Sequence, residues 1–258
     1  MIDSHAHLDD PQFDDDRPAV IARWQAAGVE AVVCVGTTLE SSRAALRLAE
    51  TYPQVYAAVG IHPNSCADAA DGDWEQIVAL LDHPRVVALG ETGLDRHWDF
   101  APFELQVDYF RRHLRLGQER RRPVIIHCRD AAADLLPLLD ESAAAGPICA
   151  VLHAFSGGAA MAAKCLELGL MISFAGNATY TNKKFEPLRA AAAKIPADRI
   201  LIETDCPYLS PEPYRNRQPR NEPALVSHTA ACLARLRGVP VEQFAAETTA
   251  NARRLFKL

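Results

Sequence analysis

Short apolar runs alternate with longer amphipathic stretches about eight times along the chain, and this rhythm constrains the fold more than any single motif. The candidate strands are the segment around Ile2, Ala31 to Val35, Val55 to Ile61, Val86 to Leu89, Val124 to Ile126, Cys149 to Leu152, Leu170 to Phe174 and Ile200 to Ile202. Their apolar character is continuous rather than alternating, which suits strands covered on both faces of a parallel sheet. Helical spacing fills the intervals: Arg17 to Ala27, Leu39 to Tyr52, Trp74 to Asp82, Leu105 to Glu119, Leu135 to Ala145 and Ala159 to Leu168. Gly28, Gly146 and Gly169 follow three of these, where helices commonly end. A Pro-rich loop, Pro207 to Pro223, then leads into helices at Ala224 to Leu236 and Val241 to Phe256. Strand–helix units without a break in composition predict one α/β domain over residues 1–258, a single (β/α)8 TIM barrel. An open doubly wound sheet is the alternative, because strand order is not written in one sequence.

Charge and cysteine usage narrow the function classes. Lys and Arg number 27 against 33 Asp and Glu, a net charge of -6, which argues against a basic nucleic-acid coat or a binder of anionic membranes. An enzyme acting on nucleic acid stays open, drawing positive charge from bound metal and a few local arginines. The 7 cysteines are an odd number, dispersed, with no Cys-x-x-Cys pair, so neither a disulfide framework nor a zinc knuckle is expected. No basic leader followed by an apolar stretch opens the chain, and no apolar run reaches the length of a membrane span. The expectation is a cytoplasmic protein with no membrane contact; no stable protein partner can be inferred. Arg120, Arg121 and Arg122 read as a solvated cap on a helix C-terminus.

Candidate metal ligands fall at strand ends. His5 and His7 close the first strand, and side chains two residues apart in extended backbone share a side. Glu91, His127, His153 and Asp205 lie at the C-terminal ends of strands four, five, six and eight, which converge on one face of a barrel. Four histidines and two carboxylates exceed what one tetrahedral ion needs, pointing to two divalent ions sharing a carboxylate. His62 ends strand three and is expected to line the same pocket. Glu203 shares the face of Asp205 and suits a bond that orients a ligand. Arg129, two residues past His127, suits a phosphate, although a salt bridge to Asp130 or Asp134 is the simpler expectation. Cys128 and Cys206 should face away from the pocket.

These residues resemble the TatD family of metal-dependent deoxyribonucleases, a branch of the amidohydrolase-like barrels. The similarity runs from Asp3-Ser4-His5-Ala6-His7-Leu8 through Gly60-Ile61-His62-Pro63, Gly90-Glu91-Thr92-Gly93-Leu94-Asp95 and Pro123-Val124-Ile125-Ile126-His127 with Arg129. It continues through Leu152-His153-Ala154-Phe155-Ser156-Gly157, Leu201-Ile202-Glu203-Thr204-Asp205-Cys206-Pro207-Tyr208-Leu209 and Asn221-Glu222-Pro223 to Thr249-Ala250-Asn251 with Leu255-Phe256. The resemblance implies that His5, His7 and Asp205 hold one ion, His127 and His153 the other, and Glu91 bridges them. It also implies phosphodiester hydrolysis of DNA, exonucleolytic in some members. Asp205 is the expected general base. A mixed histidine and carboxylate shell suits Zn²⁺ or Mn²⁺ better than Mg²⁺. Two departures bear on substrate preference: Arg96 stands where the family has an aromatic, and Tyr214-Arg215-Asn216-Arg217-Gln218-Pro219-Arg220 replaces a short Arg-Gly-Lys loop. The rival readings are a small-molecule amidohydrolase or lactonase, a D-aminoacyl-tRNA deacylase, and last a non-catalytic scaffold on the same barrel.

Overall fold

The computed structural model describes residues 1–217 and 220–258; Gln218 and Pro219 of the strand-eight loop lie outside the described residues. Its strands are β1 (Ile2–Ala6), β2 (Ala31–Val35), β3 (Val55–Val59), β4 (Val86–Asp95), β5 (Val124–Arg129), β6 (Ala150–Leu152), β7 (Met171–Phe174) and β8 (Ile200–Ile202). All neighbouring pairs are parallel, in the order β1 to β8. The ring is drawn together between β8 and β1 by a bridge from Ala6 to Cys206 and by the Asp205 amide donating to the His5 carbonyl at 2.9 Å. The architecture is therefore a (β/α)8 barrel rather than an open doubly wound sheet.

Helices α1 (Arg17–Ala26), α2 (Leu39–Thr51), α3 (Asp73–Leu80), α4 (Phe103–Arg120), α5 (Ala132–Ala145), α6 (Ala159–Glu167), α7 (Glu186–Ala192), α8 (Val226–Arg237) and α9 (Val241–Phe256) form the outer layer. Helix α2 begins on a reciprocal cap, in which the Thr38 hydroxyl accepts from the Ser41 amide and the Ser41 hydroxyl from the Thr38 amide. Gly28 and Gly169 end their helices in the left-handed conformation, at φ +78° and +82°, whereas Gly146 is extended. In the basic run, Arg120 pairs with Asp82 at 2.8 Å and Arg121 takes the left-handed cap of α4. Among the described residues, no helix is long and apolar enough to cross a membrane.

The buried apolar residues form two groups. One, including Val32, Leu89, Ile126 and Phe110, fills the layer between barrel and helices. The other, with Val33, Ile125, Val151 and Leu201, fills the barrel interior and continues onto Ala252, Leu255 and Phe256 of α9. Asn251 fixes that helix by donating to the carbonyls of Ala197 and Ile200 at 2.7 and 2.9 Å. Packing thus occupies the N-terminal end of the barrel, leaving polar chemistry to the other.

His113, fully buried on α4, ties that helix to the segment entering the site. Its Nδ1 donates to the Tyr109 carbonyl at 2.7 Å, and its Nε2 accepts from the Ile61 amide at 3.2 Å. Burial lowers its pKa from 6.5 to about 4, so the folded ring stays neutral in mild acid. The unfolded chain takes up the proton that this buried ring refuses. Its contribution to stability is consequently present above pH 6.5 and falls by about 3 kcal/mol as the pH drops towards 4. His113→Leu should cost about 1–3 kcal/mol at pH 7 by orphaning the Ile61 amide, and should remove this acid-linked loss. Urea unfolding of both proteins at pH 7 and 4.5 measures it; identical pH sensitivity would contradict the assignment.

Candidate metal centre

The strand ends bring His5, His7, Glu91, His127, His153 and Asp205 to one place, with His62 beside them. The route differs from strand to strand. In β5 and β6 simple alternation suffices: Ile125 and Val151 face the barrel interior, and His127 and His153, two residues on, face the same way at its mouth. In β1 an irregular register between Asp3 and Ala6 lets both Ile2 and His5 turn inward. In β4 Leu89 faces α4, yet Glu91 faces the mouth, because the register shifts between Leu89 and Thr92 around Gly90 at φ +126°. Strand β4 runs on to Asp95, so Glu91 sits inside the strand rather than after it. Asp205 is itself left-handed, at φ +56°.

Glu91 is the centre of the cluster, and its two oxygens face different histidines. Oε2 lies 3.3 Å from His5 Nε2 and 3.7 Å from His7 Nε2. Oε1 lies 2.7 Å from His153 Nε2, 2.9 Å from His127 Nδ1 and 3.4 Å from His62 Nε2. Asp205 Oδ1 is 3.5 Å from both His5 Nε2 and His7 Nε2. Two pairs of imidazole nitrogens face one another, His5 with His7 at 3.2 Å and His127 with His153 at 3.4 Å. Ligands placed tetrahedrally about 2.0–2.1 Å from Zn²⁺ stand roughly 3.3 Å apart, so these spacings fit the edges of such a shell. Among the described residues, His5, His153 and Asp205, His5, His7 and Glu91, and His62, Glu91 and His127 are each grouped closely enough to hold a metal ion.

Partners behind the rings select which nitrogens are free. His7 Nδ1 donates to the Val35 carbonyl at 2.9 Å and His127 Nε2 to Asp95 Oδ2 at 3.1 Å, so the inward nitrogen of each ring is the one a cation would take on displacing its proton. His153 Nδ1 lies 3.4 Å from Glu203 Oε1, an ion-pair distance without hydrogen-bond alignment. His62 is different: its Nδ1 accepts from the Asn64 amide at 3.1 Å, so the neutral ring carries its proton on Nε2, facing Glu91. In its neutral form His62 thereby presents a hydrogen-bond donor to the pocket.

The electrostatics centre on the same carboxylate. Burial alone would raise the pKa of Glu91, but His153, His62 and His5 hold it well below the ordinary carboxylate range. His7, despite burial, is pushed up to about 9 by its bond to Asp205 and the charge of Glu91. Burial opposes the ionisation of Asp95, yet the bonds from His127 and the Trp98 amide keep its pKa low. The chain without metal is thus a buried anion surrounded by imidazoles, a donor set suited to divalent cations.

Several residues absent from the sequence-based site complete it. Asp95 has the same parity as Glu91 in β4 and anchors His127; that shared parity was the available signal. Asp3 accepts from the Thr204 hydroxyl at 2.6 Å and the Thr204 amide at 2.9 Å, which sets His5 opposite Asp205. Asn221 donates to the carbonyls of Thr204 and Tyr208 at 2.9 and 2.6 Å, fastening the loop after β8. Glu203 stands behind His153 rather than Asp205, and accepts from the Ala154 amide at 2.6 Å. Arg129 makes no salt bridge with Asp130 or Asp134, because His97 takes the first at 3.4 Å and Arg96 the second at 2.8 Å. Cys206 is fully buried and Cys128 half-buried.

A parallel barrel with buried histidines and carboxylates converging at its C-terminal mouth defines a metal-dependent hydrolase. The sequence model of one family, described as "TatD related DNase", matches residues 2–257, and the chain belongs to that family. It is similar to the uncharacterized metal-dependent hydrolase YabD of Bacillus subtilis, at 40% identity over 258 residues, covering 100% of this chain and 99% of YabD. It is also similar to the 3'-5' ssDNA/RNA exonuclease TatD of Citrobacter rodentium, at 40% identity over 261 residues, covering 99% and 97%. Among solved structures, YjjV, a TatD homolog from Escherichia coli, superposes with a TM-score of 0.92 at 32% identity, covering 100% of this chain and 98% of YjjV.

Proposed function

We propose that the chain hydrolyses phosphodiester bonds of single-stranded DNA or RNA at a two-ion centre. His5, His7 and Asp205 hold one divalent cation, His127 and His153 the other, and Glu91 lies between them. The division of the two Glu91 oxygens between the His5/His7 and His127/His153 sets carries this reading. The mixed donors favour Zn²⁺ or Mn²⁺ over Mg²⁺. Bound there, the cations supply acidity that ionises a water near neutral pH and positive charge that offsets the phosphate oxygens.

The chain's own groups do the rest. Asp205 accepts the proton of the attacking water. The His62 Nε2 proton and the Arg129 guanidinium bind non-bridging phosphate oxygens. Asp95 and Glu203 hold His127 and His153 in register, so the reacting geometry needs little reorganisation. The relative from Citrobacter rodentium is named for single-stranded DNA and RNA, which supports that substrate class. The 7 unpaired cysteines support work in the cytoplasm.

The protein loaded in turn with Zn²⁺, Mn²⁺ or Mg²⁺ is offered end-labelled single-stranded DNA and RNA, a lactone, an amide and a D-aminoacyl-tRNA. Shortening of the single strands in at least one metal, lost on chelation and reduced about 100-fold or more by Asp205→Asn, is the expected result. Turnover of the lactone, amide or aminoacyl ester with intact polynucleotides would overturn it.

A further inference from the structure

Among the described residues, the large apolar side chains most open to solvent include Trp98 at 46% and Phe100 at 61% exposure. Both lie on the loop from β4 to α4. Their rings stack on one another, 5.4 Å between centroids and 14° between planes, instead of turning into the nearby core. His97 meets Trp98 edge-on at 4.8 Å, and the Arg129 guanidinium lies 5.7 Å from the Trp98 ring centre. Exposed apolar patches of this kind on a folded chain mark interaction sites more often than accidents.

The loop is tied to the metal centre by hydrogen bonds. The amides of His97 and Trp98 donate to Asp95 Oδ1 at 2.8 and 3.1 Å, while Asp95 Oδ2 accepts from His127. The aromatic pair therefore keeps a set position relative to the cluster. Arg129 stands on the same rim, with Asp130 and Asp134 occupied by His97 and Arg96. Arg96 itself lies over Phe103, 3.6 Å from the ring centre, and does not cover the stacked pair.

Flat rings with an adjacent guanidinium match a nucleobase and its phosphate. Stacking tolerates any base, since every base has a π-face, and it requires the face to be open, as in a single strand. We propose that Trp98 and Phe100 form a base-stacking platform for a single-stranded polynucleotide, with Arg129 beside it on the phosphate of the reacting ester. This rests on the phosphodiesterase reading above. The platform supplies affinity and strand preference, while the bond-breaking groups lie elsewhere.

Trp98→Ala and Phe100→Ala should each raise KM for single-stranded DNA about 10- to 100-fold with kcat within about twofold. Hydrolysis of bis(p-nitrophenyl) phosphate, a diester without bases, should not change. Trp98→Phe should restore KM to within a few-fold of the original. Binding is read separately by stopped-flow tryptophan emission of the metal-loaded protein. An oligonucleotide should quench it, an abasic oligonucleotide of equal length should not, and Trp98→Phe should abolish the response. Base-dependent quenching without hydrolysis would leave the platform standing and defeat the phosphodiesterase reading. Unchanged KM in both alanine variants, equal quenching by the abasic strand, or a change only in oligomeric state would overturn the platform.

Discussion

Glu91→Gln should reduce hydrolysis by at least about a thousand-fold, near 4 kcal/mol of barrier, and should lower bound metal below that of the original protein. The substitution keeps the shape of the side chain and removes its charge. Glu91 is 3% exposed and faces His5, His7, His62, His127 and His153, so no solvent ion can take its place. An amide is a poor ligand, and its NH2 would confront either the His5/His7 side or the His127/His153 side. Elemental analysis and single-strand cleavage are measured together, with circular dichroism to verify folding. Retention of two ions and of activity within about tenfold would defeat the bridging role.

A second large effect is expected from Gly93→Ala, which adds one methyl group at a position that is not itself a proposed ligand. Gly93 pairs with His127 between β4 and β5, at φ +147°. An added Cβ would stand 2.0 Å from the His127 carbonyl oxygen and 2.8 Å from its carbon. Backbone cannot yield as a side-chain tip can, so the strands must part where Glu91 and His127 face each other. A loss above about 4 kcal/mol is expected, together with loss of metal. Gly28→Ala is the control: its φ is +78° with nothing within 4 Å, so only local strain of about 1–2 kcal/mol should appear. Equal melting temperatures for the two variants would show that the close approach at Gly93 has no energetic weight.

What the sequence made legible follows from where local rules hold. Strands β2 and β8 and helix α9 were bounded correctly because apolar runs and breakers coincide there. His127 and His153 follow from plain alternation. Glu91 does not, since Leu89 and Glu91 point opposite ways across a two-residue step that only Gly90 permits. Helix α7 was missed because seven residues are too few to display a helical period. The partner of Arg129 was misjudged for another reason: Asp130 and Asp134 are nearer in sequence, but His97 and Arg96 reach them across the loop from β4. Strand ends can be read from a chain; competition among charges distant along it cannot.

Among the described residues, the seam between β8 and β1 is held by a single bridge and a few bonds rather than a ladder, and it carries proposed ligands on both lips. His5 and His7 belong to the first residues of the chain, Asp205 to the last barrel strand's exit. A cation seated between them would act as a clasp on a split hoop, making the opening of the hoop and the emptying of the site one motion. Amide exchange at His7 and Asp205 then reports metal occupancy and barrel closure at once.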